Sequence, residues 1–228
     1  MMGLRNIFAY RYLVAVKRSV SIVRTLFYGH GFLKSILRGR PVGPRGEPIP
    51  WFTYPAIEYL RQLDLADKRV FEYGAGNSSI FWAQRANQVV TVESNKQWFE
   101  TISAMRPANL LLLLEIEKER YVSAIEQQQG KFDVIVIDGK WRNACAHACI
   151  DSLSDDGLII FDNSDRHYQG CTFLRERGFF QIDFSGFSAI NGYASTTSLL
   201  LRAPTRMQAR FRPARPVGGL GQMAELDD

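Results

Sequence analysis

Residues 69–93 constrain the fold of this chain more than any other stretch. Residues 70–73 are rich in β-branched and aromatic side chains, as a short buried strand is. They lead directly into Gly74 and Gly76, and glycine permits both a sharp chain reversal and a close approach of a ligand to the backbone. This pattern predicts a strand and a glycine turn at the carboxyl edge of a parallel sheet, where ligands bind.

The residues after the turn extend the prediction to a nucleoside site. Ser78 and Ser79 begin a helical segment, whose free N–H groups and positive dipole end face the turn. Residues 88–92 form a second apolar strand, and Glu93 lies at its C-terminal end. An acidic side chain about twenty residues after such a turn can accept hydrogen bonds from the hydroxyls of a ribose.

Two positions distinguish between classes of nucleotide ligand. A dinucleotide site has a third glycine three residues after the second, where this chain has Ser79. Glu72 lies two positions before the first glycine, where a negative charge repels a phosphate and attracts a cation. Both positions favour a ligand with a nucleoside and a positive charge but no phosphate, and a nicotinamide oxidoreductase is the less favoured enzyme.

Residues 72–76, Glu-Tyr-Gly-Ala-Gly, resemble the first motif of the class I S-adenosylmethionine-dependent methyltransferases, which has the form acidic-x-G-x-G. The resemblance covers about residues 50–202. It implies that the turn lies along the methionine part of S-adenosylmethionine and that Glu93 binds the ribose. The residues assigned to cofactor binding are Glu72, Gly74, Gly76, Asn77, Ser78, Ser79, Glu93 and Asp138.

The rest of the domain alternates between apolar strands and helical segments. Strands are predicted at residues 110–114, 131–138 and 157–162, and residues 181–187 and 196–202 follow with little helix between them. Helices are predicted at residues 51–63, 96–105, 121–128 and 142–153. The alternation predicts an α/β fold with a doubly wound, mostly parallel sheet. The last two strands are consistent with the antiparallel closing pair of a seven-stranded, Rossmann-like methyltransferase fold.

Polar side chains follow the fourth and fifth predicted strands. Asp138 ends the fourth strand, and Asp162 and Asn163 end the fifth, which brings them to one edge beside the glycine turn. Carboxylate and amide oxygens suit Mg²⁺ or Ca²⁺. The set resembles the metal triad of the catechol and caffeoyl-CoA O-methyltransferases. The alternative is that these short polar side chains only organise the loop backbone.

The general base is less defined than the cofactor site. The catechol enzymes have a lysine three residues beyond the first Asp, where this chain has Trp141. Asp138 and Lys140 are the catalytic candidates, and Lys140 would need a lowered pKa to act as a base. Asp165 and His167 are alternatives. Because the sulfonium already activates the methyl group, we predict O-methylation of a small-molecule or glycan-like acceptor, with or without a divalent metal.

Charge is distributed unevenly along the chain. Residues 1–45 contain nine Lys or Arg and no acidic residue, whereas residues 46–202 contain 15 basic and 20 acidic residues. The basic pI therefore belongs to the ends of the chain and does not indicate a nucleic-acid partner for the domain. Residues 1–50 are predicted to form a basic helical extension, broken near residues 29–31, and a Pro/Gly connector. Residues 203–228 are predicted to be a disordered tail.

Two interpretations of the N-terminal extension stay open. It attaches the protein to an anionic membrane surface or a partner, or it caps the domain with solvated arginines. No apolar run reaches the roughly 18 residues of a membrane span, and no signal-peptide pattern is present, although an acid-free start also resembles a transit peptide. If the fold lacked activity, this extension would make it a membrane-associated binding module.

Three cysteines predict reduced thiols in a cytoplasmic protein. On a helix, Cys145 and Cys149 share a face and His147 points away, so one metal ion cannot bind all three. The sequence does not predict the oligomeric state.

Overall fold

The computed structural model describes residues 4–202, with side chains described from residue 8 onward. The strands are β1 (Arg69–Tyr73), β2 (Gln88–Glu93), β3 (Leu110–Leu114), β4 (Phe132–Ile137), β5 (Leu153–Asp162), β6 (Phe179–Phe187) and β7 (Ala194–Arg202). They form one sheet in the order β3-β2-β1-β4-β5-β7-β6. Strand β7 runs antiparallel to both of its neighbours, and the other neighbouring strands are parallel.

The helices cover both faces of this sheet and extend the N-terminus. They are α1 (Leu4–Arg24), α2 (Phe32–Arg38), α3 (Tyr54–Leu60), α4 (Asn77–Ala83), α5 (Lys96–Ser103), α6 (Lys118–Ser123), α7 (Arg142–Ala148) and α8 (Tyr168–Glu176). A π-helical turn, Thr25–Gly29, and a 3-10 turn, Ile150–Ser152, complete the set. The seven-stranded, doubly wound α/β sheet confirms the predicted fold class.

Alternation along β1 sends its side chains into two different apolar layers. Phe71 and Tyr73 pack in the layer that contains Tyr121 of α6, and Val70 packs in the layer that contains Trp82 of α4. All of these side chains are buried. Because successive strand residues point to opposite faces, Glu72 points into the α4 layer with Val70. A carboxylate is therefore placed inside an apolar layer.

Several element boundaries differ from the sequence-based prediction. Helix α7 ends at Ala148 rather than residue 153, because residues 150–152 form a 3-10 turn and Leu153 already pairs with Phe132 of β4. Helix α8 was not predicted at all. Its glycine and polar residues weaken the apolar pattern, but Cys171 and Leu174 lie one turn apart and are buried against the sheet.

The connector before the domain is packed rather than solvated. Residues 40–50 contain no helix and only a single-residue bridge between Val42 and Pro48. The Ser35 hydroxyl on α2 donates to the Val42 carbonyl at 2.8 Å and accepts from the Val42 N–H at 3.0 Å. The Asn77 side-chain amide donates to the Pro41 carbonyl, which joins the connector to the start of α4.

The structure describes the helix that carries the two predicted thiols, but not the predicted C-terminal tail. Cys145 and Cys149 are buried free thiols, whereas the exposed His147 stacks on Phe173 with ring centroids 3.5 Å apart, as the predicted helix geometry requires. The predicted tail, residues 203–228, lies outside the described residues. Between residues 4 and 202, no helix has the combined length and apolarity of a membrane span.

Candidate active site

A cavity of about 390 Å³ opens at the carboxyl ends of β1, β4 and β5. A volume of this size falls in the range of small-molecule sites. The residues that line it are Pro41, Trp51, Ala75, Gly76, Asn77, Ser78, Trp98, Asp138, Arg142, Asp162, Asn163, Arg166, Asn191 and Tyr193. Of the predicted cofactor and metal residues, Gly76, Asn77, Ser78, Asp138, Asp162 and Asn163 line the cavity directly.

The glycine turn, residues 74–76, is shaped by a close approach between two strand ends. Gly74 has φ +94°, and a Cβ there would lie 2.7 Å from the Cα of Gly139. The Gly74 N–H donates to the Val92 carbonyl at 2.8 Å, and the Asp138 N–H donates to the Tyr73 carbonyl at 3.0 Å. Gly74 therefore supports the floor of the cavity rather than lining it, because a side chain at this position would separate β1 from β4.

Glu72 lies beneath the turn and does not line the cavity. Its carboxylate is fully buried and accepts hydrogen bonds from the Ser79 hydroxyl, from Thr91 Oγ1 at 3.0 Å and from Trp82 Nε1 at 3.2 Å. Ser79 Oγ in turn accepts from the Gly76 N–H at 3.1 Å. Glu72 and Ser79 therefore hold the turn in place from below.

Glu72 and Ser79 are buried and do not line the cavity, so their predicted part in cofactor binding stays a prediction. Side-chain alternation along β1 directs Glu72 into the α4 layer, and Ser79 is fully buried between it and Gly76. Burial raises the pKa of Glu72 from 4.5 to about 7, although the hydroxyl and indole donors oppose this rise. Near neutral pH the carboxyl group is therefore partly protonated, and its charge is a weak attractor for a cation.

Replacement Glu72→Gln is expected to change the pH dependence of stability. The folded-state pKa of Glu72 is raised, so its contribution to stability is fully present below pH 4.5 and is lost as the pH rises towards 7. A glutamine amide can stay hydrogen-bonded here without ionising if its Oε1 accepts from Trp82 Nε1 and its Nε2 donates to the hydroxyl oxygens of Ser79 and Thr91. At pH 8 the variant should be more stable than the wild type by roughly 2–3 kcal/mol, and the two should converge near pH 4. Urea unfolding across this pH range measures the difference.

Measuring cofactor affinity distinguishes two roles of Glu72, support of the glycine turn and electrostatic attraction of a cationic ligand. Glu72→Gln should change the affinity for S-adenosylmethionine by about twofold or less, since the hydrogen-bonded turn is preserved. A loss of tenfold or more with an unchanged stability profile would show instead that the Glu72 charge acts on the ligand.

Glu93 ties the end of β2 to the glycine turn. One carboxylate oxygen accepts from the Ala75 N–H at 2.8 Å, and the other accepts from the N–H groups of Ser94 at 2.7 Å and Asn95 at 2.6 Å. The residue is 7% exposed. A carboxylate oxygen can accept two hydrogen bonds, so the oxygen that accepts only from Ala75 keeps acceptor capacity for a ribose hydroxyl. The predicted ribose contact stays a prediction, and the support of Ala75 is an added role.

Arg142 at the start of α7 lies between the residues of the predicted metal triad. Its guanidinium forms ion pairs with Asp138 at 3.2 Å and with Asp162 at 3.8 Å, and it donates to Asn163 Oδ1 at 3.1 Å. It also donates to the main-chain carbonyls of Gly139 at 2.8 Å, Asp162 at 2.6 Å and Asp138 at 3.2 Å. Its side chain is 12% exposed.

This arrangement does not fit the predicted metal site. The guanidinium occupies the positive position between the two carboxylates and uses Asn163 Oδ1, which the triad would supply to the metal. Among residues 4–202, no group of three or more His, Cys, Asp or Glu side chains is placed to hold a metal ion. The pairing of Arg142 with Asp162 joins residues 20 positions apart, so spacing along the chain does not predict it.

Both carboxylates beside Arg142 have altered acid strengths. Burial and the neighbouring charge of Asp162 raise the pKa of Asp138 well above its usual value, and Arg142 opposes this rise. Burial likewise raises the pKa of Asp162, against Arg142 and a hydrogen bond donated by Thr197 Oγ1 at 2.6 Å. The pair therefore holds a proton more readily than two ordinary carboxylates do.

The other candidate bases lie away from the cavity. Lys140 is exposed and does not line the cavity, and its ammonium nitrogen lies 5.7 Å from the ring centroid of Trp141. Its catalytic role stays a prediction. Asp165 accepts from the Thr196 N–H at 3.0 Å, and His167 is buried with its ring near Phe161. Asp138 is the predicted catalytic residue that lines the cavity.

The mouth of the cavity is formed by residues that the sequence pattern did not connect. Trp51, which precedes α3, lines the cavity, whereas Tyr54, at the start of α3, borders a separate groove against α1. Asn191 and Tyr193 come from the segment between β6 and β7. The polar and aromatic composition of the loop between the last two strands was the sequence feature that could have indicated Asn191 and Tyr193 as cavity residues.

The sheet order, the antiparallel β7 and the glycine turn after β1 define the Rossmann-like fold of the class I methyltransferases. The chain is similar to the precorrin-6y C5,15-methyltransferase of Geobacter metallireducens GS-15, with 13% identity, a TM-score of 0.51, and coverage of 62% of this chain and 83% of that chain. At this identity the likeness shows the fold alone.

Two further solved structures have lower scores. A methyltransferase-like protein from Silicibacter pomeroyi DSS-3 has 18% identity and a TM-score of 0.48, covering 68% of this chain and 89% of its own. Precorrin 8w decarboxylase from Methanobacterium thermoautotrophicum has 14% identity and a TM-score of 0.49, covering 73% and 97%. No protein-family model matches the chain, and no curated protein matches it in sequence.

Proposed function

We propose that this protein is an S-adenosylmethionine-dependent methyltransferase. The observation that carries the proposal is the hydrogen-bonded glycine turn beside the cavity. The Gly76 N–H donates to the Ser79 hydroxyl, which donates to Glu72, and the Ala75 N–H donates to Glu93. Gly76, Asn77 and Ser78 line the side of the cavity where the methionine part would lie. Glu93 stands at the end of β2, where a ribose would be bound.

We propose that the methyl acceptor binds in the same cavity as the cofactor. Asp138, Arg166, Asn191, Tyr193 and Trp51 also line this cavity and offer hydrogen-bonding groups beside aromatic surfaces. Such a surface suits a small, hydroxylated acceptor or a glycan-like one. We therefore propose transfer to an acceptor oxygen, and the structural neighbours do not specify this acceptor.

The protein's contribution to the reaction is alignment and proton transfer. The sulfonium of the bound cofactor supplies an activated methyl group. Asp138 would accept the proton of the acceptor hydroxyl as the oxygen is methylated, and burial, which raises its pKa, makes it a stronger base than an ordinary carboxylate. Arg142, paired with Asp138 and Asp162, stabilises the negative charge that this base must carry.

Isothermal titration with S-adenosylmethionine and, separately, with NAD tests the cofactor assignment. We expect binding of S-adenosylmethionine and none of NAD. Because the Arg142 guanidinium occupies the position between the two carboxylates, 5 mM Mg²⁺ (about physiological total concentration) or EDTA should change the affinity by about twofold or less. NAD binding alone would favour the oxidoreductase, and a strong EDTA effect would contradict the role given to Arg142.

An acceptor screen with radiolabelled cofactor follows from a positive titration. Tight binding of S-adenosylmethionine without transfer to any hydroxylated small molecule or glycan would favour the binding module. An Asp138→Asn variant that binds the cofactor normally and transfers as fast as the wild type would remove Asp138 from the proposed mechanism.

A further inference from the structure

Helix α1 exposes an apolar face along most of its length. Phe8, Tyr12, Val16, Val20 and Val23 are spaced by four, four, four and three residues, so they lie on one side of the helix. Their exposed fractions lie between 45% and 71%. In an isolated soluble domain, a continuous apolar face of this kind is normally packed against another element or a partner.

The apolar face points away from the domain. Arg18, Ser21 and Ile22 of α1 border a groove whose far wall is formed by Tyr54 and Phe187. At 100° per residue, Arg18 and Ser21 lie on the side of the helix opposite to the centre of the apolar face, whereas Ile22 lies next to its Phe8 edge. Closure of the helix onto the domain would therefore leave the apolar face uncovered.

Basic side chains occupy the rest of the helix surface: Arg11 and Arg24 lie nearest to the edges of the apolar face, and Lys17 and Arg18 lie further round the helix. Arg11, Lys17, Arg18 and Arg24 lie on α1, and the chain has no Asp or Glu before Glu47. Two copies of the helix packed face to face would bring these positive charges together with no acidic partner on either helix. An anionic bilayer supplies both an apolar layer and compensating negative charge.

We propose that α1 docks this protein on an anionic membrane surface, with the face formed by Phe8, Tyr12, Val16, Val20 and Val23 inserted at the headgroup boundary. The helix lies in the plane of the interface rather than crossing the bilayer, since α1 is not apolar enough to span it. Arg11 and Arg24 contact lipid phosphates at the edges of the inserted face, and Lys17 and Arg18 add to the positive potential that attracts the anionic surface. This inference is independent of the proposed methyltransferase activity.

Co-sedimentation of the full chain with vesicles tests the proposal. Vesicles of phosphatidylcholine with 30% phosphatidylglycerol, about the anionic content of a charged leaflet, should bind the protein at least tenfold more tightly than pure phosphatidylcholine. Raising the salt concentration to about 0.5 M should remove most of this preference, because the Debye length falls to a few ångströms.

Two variants separate the apolar and the electrostatic contributions. Phe8→Ser combined with Tyr12→Ser should weaken vesicle binding at least tenfold. Reversal of charge at Arg11, Lys17 and Arg18 to Glu should abolish the preference for anionic lipid. The matched control reverses the charge of three exposed domain lysines, Lys96, Lys118 and Lys131, and should retain binding despite the same change in net charge.

Circular dichroism and thermal unfolding establish that each variant is folded before binding is compared. Equal binding to neutral and anionic vesicles, or no binding to either, would overturn the proposal. Sedimentation velocity without lipid provides the other decisive outcome: a dimer that the Phe8→Ser, Tyr12→Ser variant dissociates would show that a second copy covers this face.

Discussion

Replacement of Arg142 by alanine is expected to lower the free energy of unfolding by about 3–5 kcal/mol at pH 7. The guanidinium is 12% exposed and is the described counter-ion of both Asp138 and Asp162. Its removal leaves two carboxylates close together in a region of low solvent access, and it also removes donors from three main-chain carbonyls. Urea unfolding monitored by tryptophan fluorescence measures the loss.

Arg166→Ala is the matched control, because this arginine also lines the cavity but has no ion pair among the described residues. Its effect should be about 1 kcal/mol or less. A similar small effect of Arg142→Ala would show that the carboxylates do not depend on the guanidinium.

A divalent cation offers a second test of the position that Arg142 occupies. In Arg142→Ala, the oxygens of Asp138, Asp162 and Asn163 lose their cationic partner and become available to a hard metal ion. Mg²⁺ or Ca²⁺ should therefore raise the melting temperature of the variant and leave that of the wild type unchanged. Equal effects on both proteins would contradict the view that the guanidinium takes the place of a metal.

Replacement of Glu93 by alanine is expected to weaken binding of S-adenosylmethionine at least tenfold, which is about 1.4 kcal/mol. The same change should lower the free energy of unfolding by about 3 kcal/mol, because the N–H groups of Ala75, Ser94 and Asn95 lose a buried charged acceptor. Titration calorimetry and urea unfolding give the two quantities. Glu117→Ala, at an exposed position, is the control and should change neither appreciably.

The nucleoside itself distinguishes the ribose contact from support of the turn. Wild-type protein should bind adenosine more tightly than 2′-deoxyadenosine, and Glu93→Ala should lose that discrimination if the carboxylate accepts from the ribose hydroxyls. Preserved discrimination in the variant would confine Glu93 to its contacts with the backbone amides.

Much of the fold follows from local pattern in the sequence. The strand regions of the sheet were all predicted, because buried parallel strands are short apolar runs bounded by turn residues. The predicted element boundaries were wrong where a contact with another part of the chain ended or began an element. Helix α7 ends early because Leu153 joins β5. Helix α8 was not predicted because its apolar pattern is weak, and burial of two side chains, Cys171 and Leu174, is enough to hold it against the sheet.

The site was predicted in part, and the errors have a common origin. Placement of Gly76, Asn77, Ser78 and Asp138 in the cavity follows from their positions at the carboxyl ends of strands. The part played by Glu72 did not follow, because its direct contacts are decided by which sheet face α4 covers. Pro41 reaches the cavity from a connector that composition alone marked as irregular.

Local sequence was enough to predict a strand, a glycine turn, a helix and a second strand ending on Glu93, since each of these depends on neighbouring residues. The pairing of the buried charges depends instead on contacts between distant parts of the chain. Arg142 meets Asp162 across 20 residues, and Thr197 approaches Asp162 across 35. Coulomb energy depends on distance in space and on solvent access, and neither is encoded in spacing along the chain.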